Sequence, residues 1–159
     1  MVSTAVDTDK TSFLKNELFS LLKMLLPDVK GKWGVMNGQQ MVEHLIEVFK
    51  IANGKLRLPL INKDETLEKY RVFLFSNKPF RENTKSPLLI DQPSPTIYPT
   101  MQAAIAGLEN EVNDFFLAFE KNPSLSTTNP LFGELDLAAN VQLLHKHALH
   151  HLRQFGLVD

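Results

Sequence analysis

Four of the five histidines, His145, His147, His150 and His151, fall within one short stretch of the 159-residue chain. The stretch reads as helix, so each ring takes its own direction at about 100° per residue. His147 and His151 are four residues apart and leave one face a turn apart, the spacing at which two helical imidazoles share a cation. Measured from His147, residues His151, Leu144 and Phe155 stand at about 40°, 60° and 80°, which puts the pair at the border of the apolar stripe. His145, at about 160°, is expected in solvent or in a surface contact, and His150, at about −60°, flanks the pair. The fifth histidine, His44, lies far upstream. If its helix neighbours the histidine-rich one, three ring nitrogens form a face with coordination positions left open for water or substrate, as in catalytic rather than structural sites. The competing reading makes His44 a hydrogen-bonded core histidine and HKHALHHLRQ a polar helix edge. No HExxH glutamate decides between them.

The elements that would carry these residues are well marked. His44 belongs to a helix with Asn37 as cap, Gln40 placed to complete a capping box and Asn53-Gly54 as a left-handed stop. Its apolar stripe is Met41, Leu45, Val48, Ile51 and Ala52, and His44 projects from that side. The histidine-rich helix is capped by Asp136, stopped by Gly156 and lined by Val141, Leu144, Ala148, Leu152 and Phe155. A first helix from Phe13 carries Leu14, Leu18, Leu21, Leu22 and Leu25, with Thr11 or Ser12 as cap and Pro27 as its end. A third long helix starts near Thr96 to Thr100 and reaches about Lys121, with Met101, Ile105, Leu108, Val112, Phe115, Phe116 and Phe119 on one stripe. Residues 1–10 are polar and aperiodic and read as a flexible N-terminal arm, leaving 11–159 as a single domain. Between the second and third long helices stand a short helix from about Asp64 to Phe75 and the segment 76–99, which holds five of the nine prolines. It reads as an ordered excursion covering one end of the molecule, and NPSLSTTNPLFGEL reads as a loop. The pattern predicts an all-α four-helix bundle with a long crossover excursion.

Composition narrows the chemistry. The chain has no cysteine, so disulfides, thiolate ligands and a cysteine nucleophile are excluded, and any metal must be held by nitrogen and oxygen. Seventeen Lys and Arg against eighteen Asp and Glu give a net charge of −1 without a basic run, which argues against nucleic acid. Neither a signal-peptide pattern nor a membrane-length apolar run is present, so no membrane partner and a cytoplasmic location are expected. No G-x-S-x-G elbow supports a serine triad.

HALHHLRQFG resembles the H-x-x-x-H-x-x-Q ending of the DinB-like, or YfiT-like, superfamily of metalloenzymes. WGVMNGQQMVEHL is similar to the second-helix motif of one of its subgroups of unknown function. WGxM, QMxxHL, NPLFG and HHLRQFG together span most of the chain from Trp33 to Leu157. The resemblance implies a four-helix bundle with a long crossover and a divalent metal, nickel or zinc, on His44, His147 and His151. Two positions depart from the subgroup: Asn129-Pro130 stands where His-Pro is common, and Ala139-Asn140 where an aromatic is common. The resemblance and the exposed helix faces also point to a homodimer.

Three neutral imidazoles leave a divalent charge uncompensated, so zinc there would acidify water toward a pKa of about 7 and attract anions. Two reaction types follow for a small-molecule substrate: metal-hydroxide hydrolysis, or activation of a low-molecular-weight thiol for transfer or isomerisation, toward which the resemblance tilts. The alternative is a non-catalytic bundle that binds a metal, an apolar ligand or a partner helix. Around the triad, Gln154 falls at about −20° from His147 and is placed to bond an imidazole or orient water, or else is an exposed amide. Glu47 is a candidate general base or a solvated flank. His150 is a proton shuttle or an interhelical bond. Trp33 is a core anchor or a pocket wall, and Arg81 and Lys85 are positioned to meet an anionic substrate or simply to stay in water.

Overall fold

Asp7 opens the first helix, its carboxylate accepting from the Lys10 backbone N–H at 3.0 Å. The structure is a computed structural model that describes residues 5–83 and 93–159. Helix α1 runs through Thr8–Ser12, a π-helical turn Phe13–Glu17 and Leu18–Leu22. The expected arm is therefore too long: residues from Thr8 onward are helical because the aspartate, not Thr11 or Ser12, satisfies the first free donors. Lys10 Nζ also donates to Gln142 Oε1 at 2.7 Å, which ties this end to the last helix.

Helix α2 (Gly38–Ala52) has the full predicted capping box, with Asn37 Oδ1 accepting from the Gln40 N–H and Gln40 Oε1 from the Asn37 N–H, each at 2.9 Å. Helices α3 (Asp64–Phe75), α4 (Met101–Lys121, capped by Thr100) and α5 (Leu137–Gln154, capped by Asp136) stand where the pattern put them. The core face of α2 is rotated from the expected stripe. Met41, Val42, Leu45, Ile46, Phe49 and Ala52 are buried, whereas Val48 and Ile51 are only half-buried and share with His44 a face turned to a cavity.

One core joins α1, α2, α4 and α5. Helix α2 packs on α4 and α5, α1 packs on the same two, and α3 lies on α5. Phe49 meets Phe115 edge to face with ring centres 6.0 Å apart, a contact that adds about 1 kcal/mol beyond its buried area. A smaller cluster of Leu74, Phe132, Leu135, Ala139 and Leu143 seats α3 against α5. The fold is mostly helical, as expected, but not all-α. The segment read as a loop contains an antiparallel ribbon, β1 (Thr127–Asn129) and β2 (Gly133–Leu135), with Thr127 opposite Leu135 and Asn129 opposite Gly133. Asn129 Oδ1 accepts from the Leu131 and Phe132 N–H groups, and Gly133 supplies φ +84° at the end of the three-residue connection, which selects a hairpin.

Part of the 76–99 excursion lies outside the described residues. Its second described part runs along α2: Gln40 Nε2 donates to the Ser94 carbonyl, the Ile97 N–H to Glu43 Oε1 and Gln39 Nε2 to the Tyr98 carbonyl. Among the described residues, no helix is long and apolar enough to cross a membrane.

Candidate metal centre

Where α2 crosses α5, His44, His147 and His151 converge. His44 Nε2 is 3.2 Å from His147 Nε2, which is 2.9 Å from His151 Nε2, and one ligand atom from each ring lies within 4.8 Å of the others. A cation held at about 2.05 Å by imidazole nitrogens places them about 2.9 Å apart at right angles and about 3.3 Å apart at tetrahedral angles. Both short separations fall in that range, so the three histidines could hold a divalent ion.

Burial is the main cause of their low basicity. It pushes His44 down to about 4, with His150 adding a smaller electrostatic effect. His147 and His151 are driven well below the ordinary histidine value, again chiefly by burial and then by neighbouring imidazoles. All three are neutral at physiological pH, the state a metal requires.

Gln154 is buried, not exposed. Its Oε1 lies 2.8 Å from His151 Nδ1, and its Nε2 donates to the Trp33 carbonyl at 2.8 Å. A carbonyl only accepts, so Trp33 fixes which end of the amide faces it. The amide oxygen then faces His151, Nδ1 carries the proton, and Nε2 presents a lone pair to the centre. The loop is shaped around this side chain: a Cβ on Gly31 would lie 2.8 Å from Gln154 Cγ, and Gly34, at φ +77°, would place one 2.8 Å from Nε2. The Lys32 N–H donates to the Gln154 carbonyl at 2.7 Å, closing the clamp. Trp33 is thus neither core anchor nor pocket wall; its ring stands 5.5 Å from that of His150.

The remaining predicted residues separate. His150 is half-buried between Trp33 and Phe80 and beside the His151 ring. His145 is half-buried and makes a contact, meeting Phe13 edge to face with ring centres 5.1 Å apart. Glu47 is exposed on the cavity wall, and Arg81 also lines the cavity; Lys85 lies outside the described residues. The cavity, about 790 Å³, is bounded by α2, α3, α5, the ribbon turn and the Phe80 segment. The rings of Phe80 and His147 meet edge to face with centres 5.8 Å apart. Sequence reasoning missed Phe80 as a wall residue; Asn140, singled out as a departure from the resembled subgroup, does line the cavity, seven residues and two helical turns before His147 on the same face. No protein-family model, curated protein or solved structure matches the chain.

Proposed function

We propose that the chain is a metal-dependent enzyme of the DinB-like superfamily, a four-helix bundle formed by α1, α2, α4 and α5, acting on a small molecule by thiol-dependent transfer or isomerisation or by hydrolysis. The observation that carries this reading is the convergence of three neutral imidazole nitrogens on the wall of a large, mostly apolar cavity. A bound zinc or nickel ion supplies Lewis acidity toward a thiolate or carbonyl ligand.

The chain's own residues divide the remaining tasks. His44 from α2 and the His147–His151 pair from α5 hold the cation, and Gln154 keeps His151 in the ligating tautomer. Phe80 and Phe132 line the ligand's side of the site and limit water around it. Glu47, exposed on the cavity wall, would be the group to accept a proton from a bound thiol or water.

Elemental analysis of protein purified without a histidine tag tests the reading. One equivalent of metal per chain is expected, lost in His44→Ala and in His151→Ala while the helical circular dichroism survives. Metal-free protein that takes up neither zinc nor nickel, or variants that keep the ion, would overturn it. Turnover assays with thiol acceptors and esters then separate the two reactions.

A further inference from the structure

The cavity continues well past the histidines. Along α5 its wall is Asn140, Leu143, Leu144, His147, His150 and His151; along α2 it runs from His44 to Ala52. The helices are antiparallel here, since the triad joins one end and the Thr127 hydroxyl joins the other by donating to the Ala52 carbonyl at 2.8 Å. Asn140 Nδ2 donates to Thr127 Oγ1 at 3.0 Å and to the Leu135 carbonyl at 3.1 Å. Both amide protons are thereby committed, which fixes the amide's orientation and leaves Oδ1 as an acceptor on a residue of the cavity wall. Seven residues of helix separate Asn140 from His147, about 20° around the axis and about 10 Å along it. The wall between them is leucine, faced across the space by Val48, Ile51, Tyr70, Phe73 and Phe132.

Building on the metal reading, we infer that the ligand is an elongated, largely apolar molecule with a metal-binding head and a hydrogen-bond donor, a hydroxyl or amide N–H, about 10 Å away that is accepted by Asn140 Oδ1. The volume suits a ligand of drug-like size. Along the α5 wall the fixed acceptor is Asn140 Oδ1 and its neighbours are leucines, so a donor at that distance is favoured over one set against the leucines, which would be desolvated without a partner.

Hydroxamates test this, as the head binds a metal and the tail can be varied. Octanohydroxamate and its ω-hydroxy analogue are titrated calorimetrically into zinc-loaded protein, beside butanohydroxamate and its ω-hydroxy analogue, which are too short to reach Asn140. The long ω-hydroxy compound is expected to bind about five- to tenfold more tightly than its methyl-terminated partner, and the short pair to show no gain from the hydroxyl. Asn140→Leu abolishes the preference, and Asn140→Asp, which retains an acceptor, keeps it; should either variant fail to fold, the ligand pairs on the unaltered protein decide alone. Equal or tighter binding of the methyl-terminated long compound overturns the inference. Zinc uptake without binding of either long compound overturns it and leaves the metal reading standing, whereas failure to take up zinc removes both.

Discussion

Replacing Gln154 by leucine isolates the clamp on His151. The side chain is 3% exposed, so water does not take its place. The substitution strands the buried His151 Nδ1–H and the carbonyl of half-buried Trp33; at about 1–3 kcal/mol for an unsatisfied buried group, and less for a part-buried one, the two together cost about 2–5 kcal/mol. Against a total domain stability of about 5–15 kcal/mol, that is a large fraction. At about 2–4 °C per kcal/mol for a domain of this size, the melting temperature of the metal-free protein should fall by about 5–20 °C. With the tautomer no longer fixed, zinc affinity should weaken about 10- to 100-fold in competition with a chromophoric chelator. Gln154→Glu separates the two halves of the clamp. A carboxylate still accepts from Nδ1–H, so zinc binding is kept or strengthened, but an acceptor now faces the Trp33 carbonyl. Relative to the unaltered protein at the same pH, this variant is less stable near pH 7 and recovers on acidification, as the protonated carboxyl gains a donor. A Gln154→Leu protein with unchanged melting temperature and unchanged zinc affinity would refute the reasoning.

Three further outcomes follow from burial and packing. The folded histidines are held below the unfolded value of about 6.5, so the unfolded chain binds more protons below that pH; metal-free stability is full above about 6.5 and is lost as pH falls toward about 4, the value for His44 and half-buried His145. Urea titrations at several pH values read this directly. By the same cause, zinc uptake near pH 6.5 should release almost no protons from the triad, where three unperturbed imidazoles would release about 1.5, a difference that calorimetry in buffers of different ionisation enthalpy detects. Gly31→Ala forces its Cβ to within 2.8 Å of Gln154 Cγ and 2.9 Å of the Trp33 carbonyl oxygen. It should cost about 1–3 kcal/mol and weaken zinc binding in the same direction as Gln154→Leu, measured by the same chelator assay.

The caps and the 3.6-residue period made α2, α4 and α5 legible, because Asn37, Thr100 and Asp136 each announce a start through a donor they must satisfy. The histidine pair was legible for the same reason, as helical spacing fixes direction. What the period does not carry is depth. Val48 and Ile51 were read as core, yet on α2 the apolar groups span two adjoining faces, one packed on α4 and one open to the cavity, and hydrophobicity does not distinguish them. The start of α1 was hidden because Asp7 sits in a polar stretch whose helical turn buries none of its own residues. The ribbon was hidden for a related reason: each strand has three residues, too few for alternation to register, although Asn129 and Gly133 at the ends of the turn were its signal. Gln154 stayed open between a bond to an imidazole and an exposed amide because its burial comes from a loop more than a hundred residues earlier, which no local pattern encodes.

The proton inventory of the triad also bears on why the chain builds it. A neutral imidazole carries one N–H and one lone pair. Gln154 places the His151 proton on Nδ1, so its Nε2 accepts, and His147 Nε2 must donate to make that 2.9 Å contact a hydrogen bond. The His147 nitrogen then has no lone pair left for His44, whose own Nε2 lies 3.2 Å away. If His147 instead accepts from His44, two lone pairs face each other across the shorter contact. Neutral tautomers satisfy one contact well and leave the other poor, and a protonated ring would place charge where burial opposes it most. A cation at the common point removes the conflict, since all three nitrogens then offer lone pairs to one acceptor. Packing alone gives no reason to bury this arrangement, and apolar side chains of similar volume would fill the space at lower cost.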